Sequence, residues 1–189
     1  MSRPGLLVID VQIGLVTGAF REKETVTAIN ATIDRVDGAG GVVYFIQHCH
    51  ASYQPMMKGS PGWALHPDLQ IHRNALYLEK TASDAFFETD LNEQLQRHGV
   101  DTLYVTGLQT EYCVDTTCRA ALSHGFNVIL VSDAHTTGDA HMPAPQIIAH
   151  HNAVLANLAH PHVSIKVADS QSLANLLKSE SASSHAAKI

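Results

Sequence analysis

Charge is scarce in this chain. Only 16% of its 189 residues are Asp, Glu, Lys or Arg, and 12 basic side chains stand against 18 acidic ones for a net charge of −6. No basic stripe gathers along any segment, which argues against nucleic acid as a partner. Long apolar runs are missing as well. The run Gly5–Ile9 is far too short to span a bilayer, so no membrane association is expected. The opening MSRPGLLVIDVQ lacks the longer apolar core and small-residue cleavage site of a signal peptide. Cysteine is rare: Cys49, Cys113 and Cys118 make an odd set without zinc-ribbon spacing, as expected for free thiols in a reducing cytoplasm. The low charged fraction also hints that a neighbouring subunit covers part of the surface, so a homodimer or homotetramer is expected.

The apolar residues that are present, 45% of the chain, suffice for one full core at this length. They fall into short runs: Gly5–Ile9, Gly41–Gln47, Ala75–Leu78, Thr102–Thr106, Asn127–Ser132 and Val163–Val167. Each is apolar almost throughout, the mark of strands covered on both faces. Helical spacing separates them, over Glu24–Val36, Thr89–His98, Cys113–His124 and Pro145–Leu158. Alternation of this kind predicts an α/β fold with a largely parallel six-stranded sheet between helix layers. The segment His50–Asp68, rich in Pro and Gly, reads as a long surface loop of the sort that serves as a lid or subunit contact. One domain over 1–178 is expected, with a polar tail over 179–189.

Ligands of open parallel sheets bind beyond the carboxyl ends of the strands. The residues ending these strands therefore carry the functional argument. The first run ends at Asp10, the third leads to Lys80, the fourth leads through Gly107 to Cys113, and the fifth ends at Asp133. An acid, an amine and a thiol thus converge on one edge. Cys113 falls where a helix begins, and free N–H groups there, with the Lys80 ammonium, are expected to favour the thiolate. Asp10 is placed to accept the thiol proton and return it to a leaving amine. Singly, each residue has a bland reading: a buried small cysteine, a turn aspartate, a solvated lysine. Their conjunction shifts the balance. Cys118 reads as core packing, Cys49 as structural, and Asp133 as the cap of a loop.

LLVIDVQ (6–12), EKTASDAF (79–86) and VTGLQTEYCVDTTCRAA (105–121) resemble the three signatures of the isochorismatase-like cysteine hydrolases, which include nicotinamidases, carbamoylsarcosine amidohydrolases and isochorismatases. GSPGWALHPDL (59–69) and SDAHTT (132–137) are similar to segments of the same group. The resemblance implies a Rossmann-like three-layer α/β/α fold and a triad of Asp10, Lys80 and Cys113. It also implies a non-proline cis peptide between Leu108 and Gln109 that turns the Gln109 N–H towards an oxyanion. The implied activity is amide or ureide hydrolysis through a thioester rather than isochorismate cleavage, since isochorismatases themselves cleave a vinyl ether and often lack the cysteine; no cofactor is expected.

Nicotinamidases of this group bind a divalent metal through an Asp-x-His pair and a later His. Here His48, His50 and His66 hold similar spacing, with His48 where the Asp would stand. Gln12, Phe20, Trp63 and Tyr112, with Tyr53, Met56 and Met57 of the loop, are candidates for the substrate pocket, or the loop residues dock on a neighbouring subunit. Two other readings stay open: a metal-assisted nicotinamidase-type enzyme with the ion at His48, His50 and His66, and a binding or scaffold protein that keeps the fold without turnover. A thiol redox protein pairing Cys113 with Cys118 is disfavoured, since residues five apart on a helix point to different faces.

Overall fold

A computed structural model describes residues 3–177; the expected polar tail lies outside the described residues. Six strands form one sheet in the order β3-β2-β1-β4-β5-β6: β1 (Arg3–Ile9), β2 (Val42–His48), β3 (Leu76–Lys80), β4 (Val100–Leu108), β5 (Asn127–Thr136) and β6 (Ile165–Ala168). Every pairing is parallel. The central strands are buried on both faces, which is why they read as unbroken apolar runs. On one face, Val26, Ile29, Ile33 and Val36 of α2 (Glu22–Gly38) pack on Leu6, Val8 and Phe45. On the other, Leu91 and Leu95 of α3 (Leu91–Arg97), Cys118 and Leu122 of α4 (Asp115–Ser123) and Leu155 of α5 (Ala144–Ala156) cover Leu7, Ile9, Val105 and Leu130.

Three boundaries differ from expectation in ways that shape the site. A one-turn helix, α1 (Ile13–Val16), follows β1 directly. The segment expected to begin at Cys113 begins earlier, with a π-helical turn over Thr110–Val114 that leads into α4. Strand β5 does not end before Asp133 but continues to Thr136, with a register shift opposite Val105–Gly107. That irregularity turns Asp133 outward, where its carboxylate accepts bonds from the Ser170 N–H and hydroxyl, both at 2.7 Å. Asp133 is therefore not part of the convergent edge; it caps the segment after β6.

Strand order reverses between the parallel neighbours β1 and β4: β2 and β3 are added on one side of β1, and β4, β5 and β6 on the other. This is the switch point at which the flanking loops part and leave a crevice. Gly107 makes the close approach there possible. Its φ is +114°, and a Cβ at this position would collide with the Ile9 carbonyl.

Candidate active site

Three strand ends deliver the polar centre. Asp10 follows β1 with φ +54°, a left-handed conformation that Asp tolerates better than most residues. Its N–H is fixed to the Ile46 carbonyl at 2.8 Å, so the carboxylate is set by the β1–β2 pairing. Lys80 is the last residue of β3 and is only 2% exposed. Its ammonium donates to Asp10 Oδ2 at 2.7 Å and to the Ala82 carbonyl at 3.0 Å. Cys113 Sγ lies 3.2 Å from the same nitrogen, and His48 Nδ1 lies 3.3 Å from it. The ammonium carries three protons, so these four neighbours share it. Asp10, Lys80 and Cys113 are thus in mutual contact, and His48 joins them as a fourth member that strand-end reasoning did not single out for this role.

Asp10 Oδ1 is buried and finds no hydrogen-bond partner among the described residues. The other carboxylate oxygen, Oδ2, is held by Lys80, and one ligating atom from each of Asp10, His48 and Cys113 lies within 4.8 Å of the other two. A buried acceptor left open in this way has lone pairs free to take up a proton.

The thiol departs from the sequence-based expectation. Burial, then the Asp10 charge, push Cys113 up to about 12, and the Lys80 ammonium offsets them only in part. The position of Cys113 as the fourth residue of the helical segment, rather than the first, removes the full effect of a helix terminus. Cys113 therefore rests as a thiol, not as a thiolate. Burial and the neighbouring Lys80 ammonium also lower the His48 pKa, which keeps that imidazole neutral.

The peptide between Leu108 and Gln109 is cis. It leads into the π turn, where the N–H groups of Tyr112 and Val114 both reach the Gln109 carbonyl, at 3.1 and 3.2 Å. Thr110 at the head of the turn bonds His135, and Glu111 Oε1 accepts from the Thr137 hydroxyl at 3.0 Å. His135 went unrecognised in the sequence because the polar run Ser132-Asp133 masked the continuation of β5.

The pocket candidates divide. Phe20 and Tyr112 are 37% and 52% exposed, free to meet a ligand. Gln12 is not a pocket residue: it is fully buried, and its amide is consumed as a clamp. Oε1 accepts from the His48 N–H, while Nε2 donates to the carbonyls of His48 and Trp63. Trp63 is partly buried and donates its indole N–H to Cys49 Sγ at 3.2 Å. The loop that carries Trp63 is pinned across the start of α1 through Ile13 N–H to Ala64 O and Gly14 N–H to Gly62 O.

The imidazoles of His48, His50 and His66 do not assemble a divalent metal site. His50 Nδ1 accepts the N–H groups of Ser52 and Tyr53, and His66 Nε2 pairs with Glu22 at 3.4 Å. Among the described residues, the group of three ligating side chains close enough to share an ion is Asp10, His48 and Cys113. The Lys80 ammonium already sits 2.7 to 3.3 Å from their donor atoms, so the place of a cation is taken by a side chain. The residues do not fit the metal that the resemblance raised.

Comparison with known proteins bears on this arrangement. The isochorismatase domain model matches residues 4–163. A streptothricin hydrolase of Streptomyces noursei is 36% identical over 137 residues, 71% of this chain and 50% of that protein. The chain spans about half the length of the two streptothricin hydrolases it matches. Nicotinamidase 3 of Arabidopsis thaliana is 31% identical over 170 residues, 82% of this chain and 79% of that protein. A crystal structure of an isochorismatase family protein superimposes with a TM-score of 0.75 at 30% identity, over 86% of this chain and 96% of that one.

Proposed function

The chain belongs to the isochorismatase family of hydrolases, and we propose that it is a cysteine-nucleophile amidohydrolase that opens the C–N bond of a small amide or ureide. The observation that carries this reading is the buried contact of Lys80 with both Asp10 and Cys113. The names of the streptothricin hydrolase and the nicotinamidase it resembles fit hydrolysis of this kind.

In the proposed reaction, Asp10 Oδ1 takes the proton of the Cys113 thiol as sulfur attacks the carbonyl carbon. Carbonyl oxygen becomes an oxyanion, received by the N–H groups of Gln109 and Cys113. Lys80 holds Asp10 in place and balances the charge that builds on sulfur. As the intermediate collapses, the C–N bond breaks and protonated Asp10 passes its proton to the departing nitrogen, which leaves as ammonia or an amine. Water, deprotonated by the same carboxylate, then hydrolyses the thioester to the acid and restores the thiol. No cofactor is required. A resting thiol suits this sequence, since proton transfer and attack occur together and the free enzyme exposes no standing thiolate to oxidants.

Exposed Ile13, Phe20, Tyr53, Met57 and Tyr112 support self-association as a homodimer or homotetramer, which sedimentation would test. The three free cysteines fit a reducing cytoplasm. No helix of the described residues is long and apolar enough to cross a membrane.

The test is ammonia release from a panel of small amides and ureides, with wild type and Cys113→Ala side by side. Release by wild type alone is the expected result. Equal release by a folded Cys113→Ala protein would overturn the nucleophile, and a thiol inert to slow alkylation across the pH range would favour a binding protein that keeps the fold.

A further inference from the structure

His135 takes no part in the proposed reaction, yet it is 2% exposed and both its ring nitrogens are engaged. Nδ1 lies 2.9 Å from Thr110 Oγ1, and Nε2 lies 2.9 Å from Asn152 Oδ1. An amide oxygen can only accept, so Nε2 carries the ring proton. Nδ1 is then the acceptor, and the Thr110 hydroxyl donates to it. Burial lowers the His135 pKa to about 4, so the neutral form that this pattern needs persists at ordinary pH.

The chain of bonds joins three elements: Asn152 of α5, His135 of β5, and Thr110 at the head of the turn that carries Cys113. Thr110 follows Gln109 directly and precedes Cys113 by three residues. The backbone bonds of Tyr112 and Val114 to the Gln109 carbonyl are internal to the turn and do not fix it to the sheet. Besides the contact of Cys113 with Lys80 at the end of β3, two side-chain anchors attach the turn, those of Thr110 and Glu111, both to the end of β5. Of the two anchors, the one through His135 is fully buried and continues into a helix.

We infer that His135 is a positioning residue for the proposed hydrolase, holding through Thr110 the turn that presents Cys113 and the oxyanion N–H groups. The inference rests on the cysteine reading above. Displacement of a nucleophile by a fraction of an ångström weakens attack far more than substrate binding. Removal of the anchor therefore lowers kcat and leaves KM nearly unchanged.

The experiment compares His135→Leu, His135→Gln, Thr110→Val and the His135→Leu/Thr110→Val double variant. A Gln amide separates its oxygen and nitrogen by about the spacing of the two ring nitrogens, so it can accept from Thr110 and donate to Asn152. Expected are losses in kcat of at least about tenfold for His135→Leu and Thr110→Val, with KM within about twofold. The double variant should be no worse than the poorer single one, because both sever one connection. His135→Gln should recover most of the loss. Alkylation of Cys113 by iodoacetamide, which needs no substrate, should change in parallel. Wild-type kcat and alkylation in folded His135→Leu, losses that multiply in the double variant, or a His135→Gln as impaired as His135→Leu would each overturn the inference. Should His135→Leu fail to fold, Thr110→Val and His135→Gln decide by the same criteria. Undiminished turnover in Cys113→Ala would instead refute the cysteine reading, a result that none of these variants can produce.

Discussion

Replacing Asp10 with Asn removes one charge next to Cys113 and nearly preserves shape. Two charges at the 4.8 Å limit that bounds these donor atoms interact by about 3 kcal/mol at an effective dielectric of ~20, equivalent to roughly two to three pKa units. The Asp10 charge stands second, after burial, among the causes that raise the thiol, and Lys80 pulls the other way. Asp10→Asn should therefore move the thiol down from about 12 towards its ordinary value. At pH 8 the wild-type thiolate fraction is on the order of 1 in 10,000, and the variant's is on the order of a hundred times higher. The assay is thiolate absorbance at 240 nm against pH, with Cys113→Ala subtracted as the blank. Turnover should nevertheless vanish, because the amide of Asn cannot take the proton. A variant with more thiolate and no activity separates the electrostatic role of Asp10 from its role as base. A thiol pKa unchanged or raised in Asp10→Asn would refute the reasoning.

Lys80→Met leaves the Asp10 carboxylate buried without its ammonium. Stability should fall by about 3–5 kcal/mol in urea unfolding, the cost of breaking one side of a buried pair. The thiol should rise further, because Lys80 is the group that opposes burial and Asp10. Cys118→Ala serves as the internal control: Cys118 is wholly buried in the core, so the variant should lose about 1 kcal/mol and keep its turnover.

The strands were legible because a parallel sheet covered on both faces turns each strand into a short apolar run, and the turns between them carry Gly and Asp. Asp10, Lys80 and Cys113 were legible for a related reason: the ends of those runs are where a polar residue has no core to enter. What escaped depends on depth, which a linear sequence does not state. Lys80 has the composition of a solvated side chain and becomes a buried ammonium only because Asp10, Ala82, His48 and Cys113 close around it. The rise of the thiol follows from the number of atoms that cover it, which outweighs the neighbouring cation that the sequence did reveal. Gln12 sits next to the site in sequence and yet serves as a clamp, since its direction is set by the loop carbonyl of Trp63. The π turn moved the start of the helix by three residues, and the irregularity of β5 carried His135 past the polar break at Ser132-Asp133.

Two histidines predict opposite responses of stability to pH, and the signs follow from their surroundings. Burial lowers His135 from 6.5 to about 4, so the folded state resists its protonation. Its contribution is complete above the unfolded value near 6.5 and is lost as pH falls towards 4, at a cost of roughly 3 kcal/mol across that window. His72 behaves in the reverse sense. Its ring bonds to Asp37 at 2.9 Å and approaches Asp34 at 3.1 Å, tying the segment before β3 to α2. The hydrogen bond to Asp37 is the main cause that raises its pKa. The His72 contribution is present below 6.5 and fades as pH rises through the elevated folded value. Because that clasp lies at the surface, solvent screening keeps the effect small. Unfolding followed from pH 4 to 8 should therefore show a steep acid limb that His135→Gln flattens, and a shallow decline above neutrality that His72→Asn removes. The two variants act on separate elements, so their effects should add in the double variant. An acid limb unchanged in His135→Gln would mean that the folded state does not resist protonation of His135, and it is the bond with Thr110 whose direction would have to reverse, since a protonated ring donates from both nitrogens.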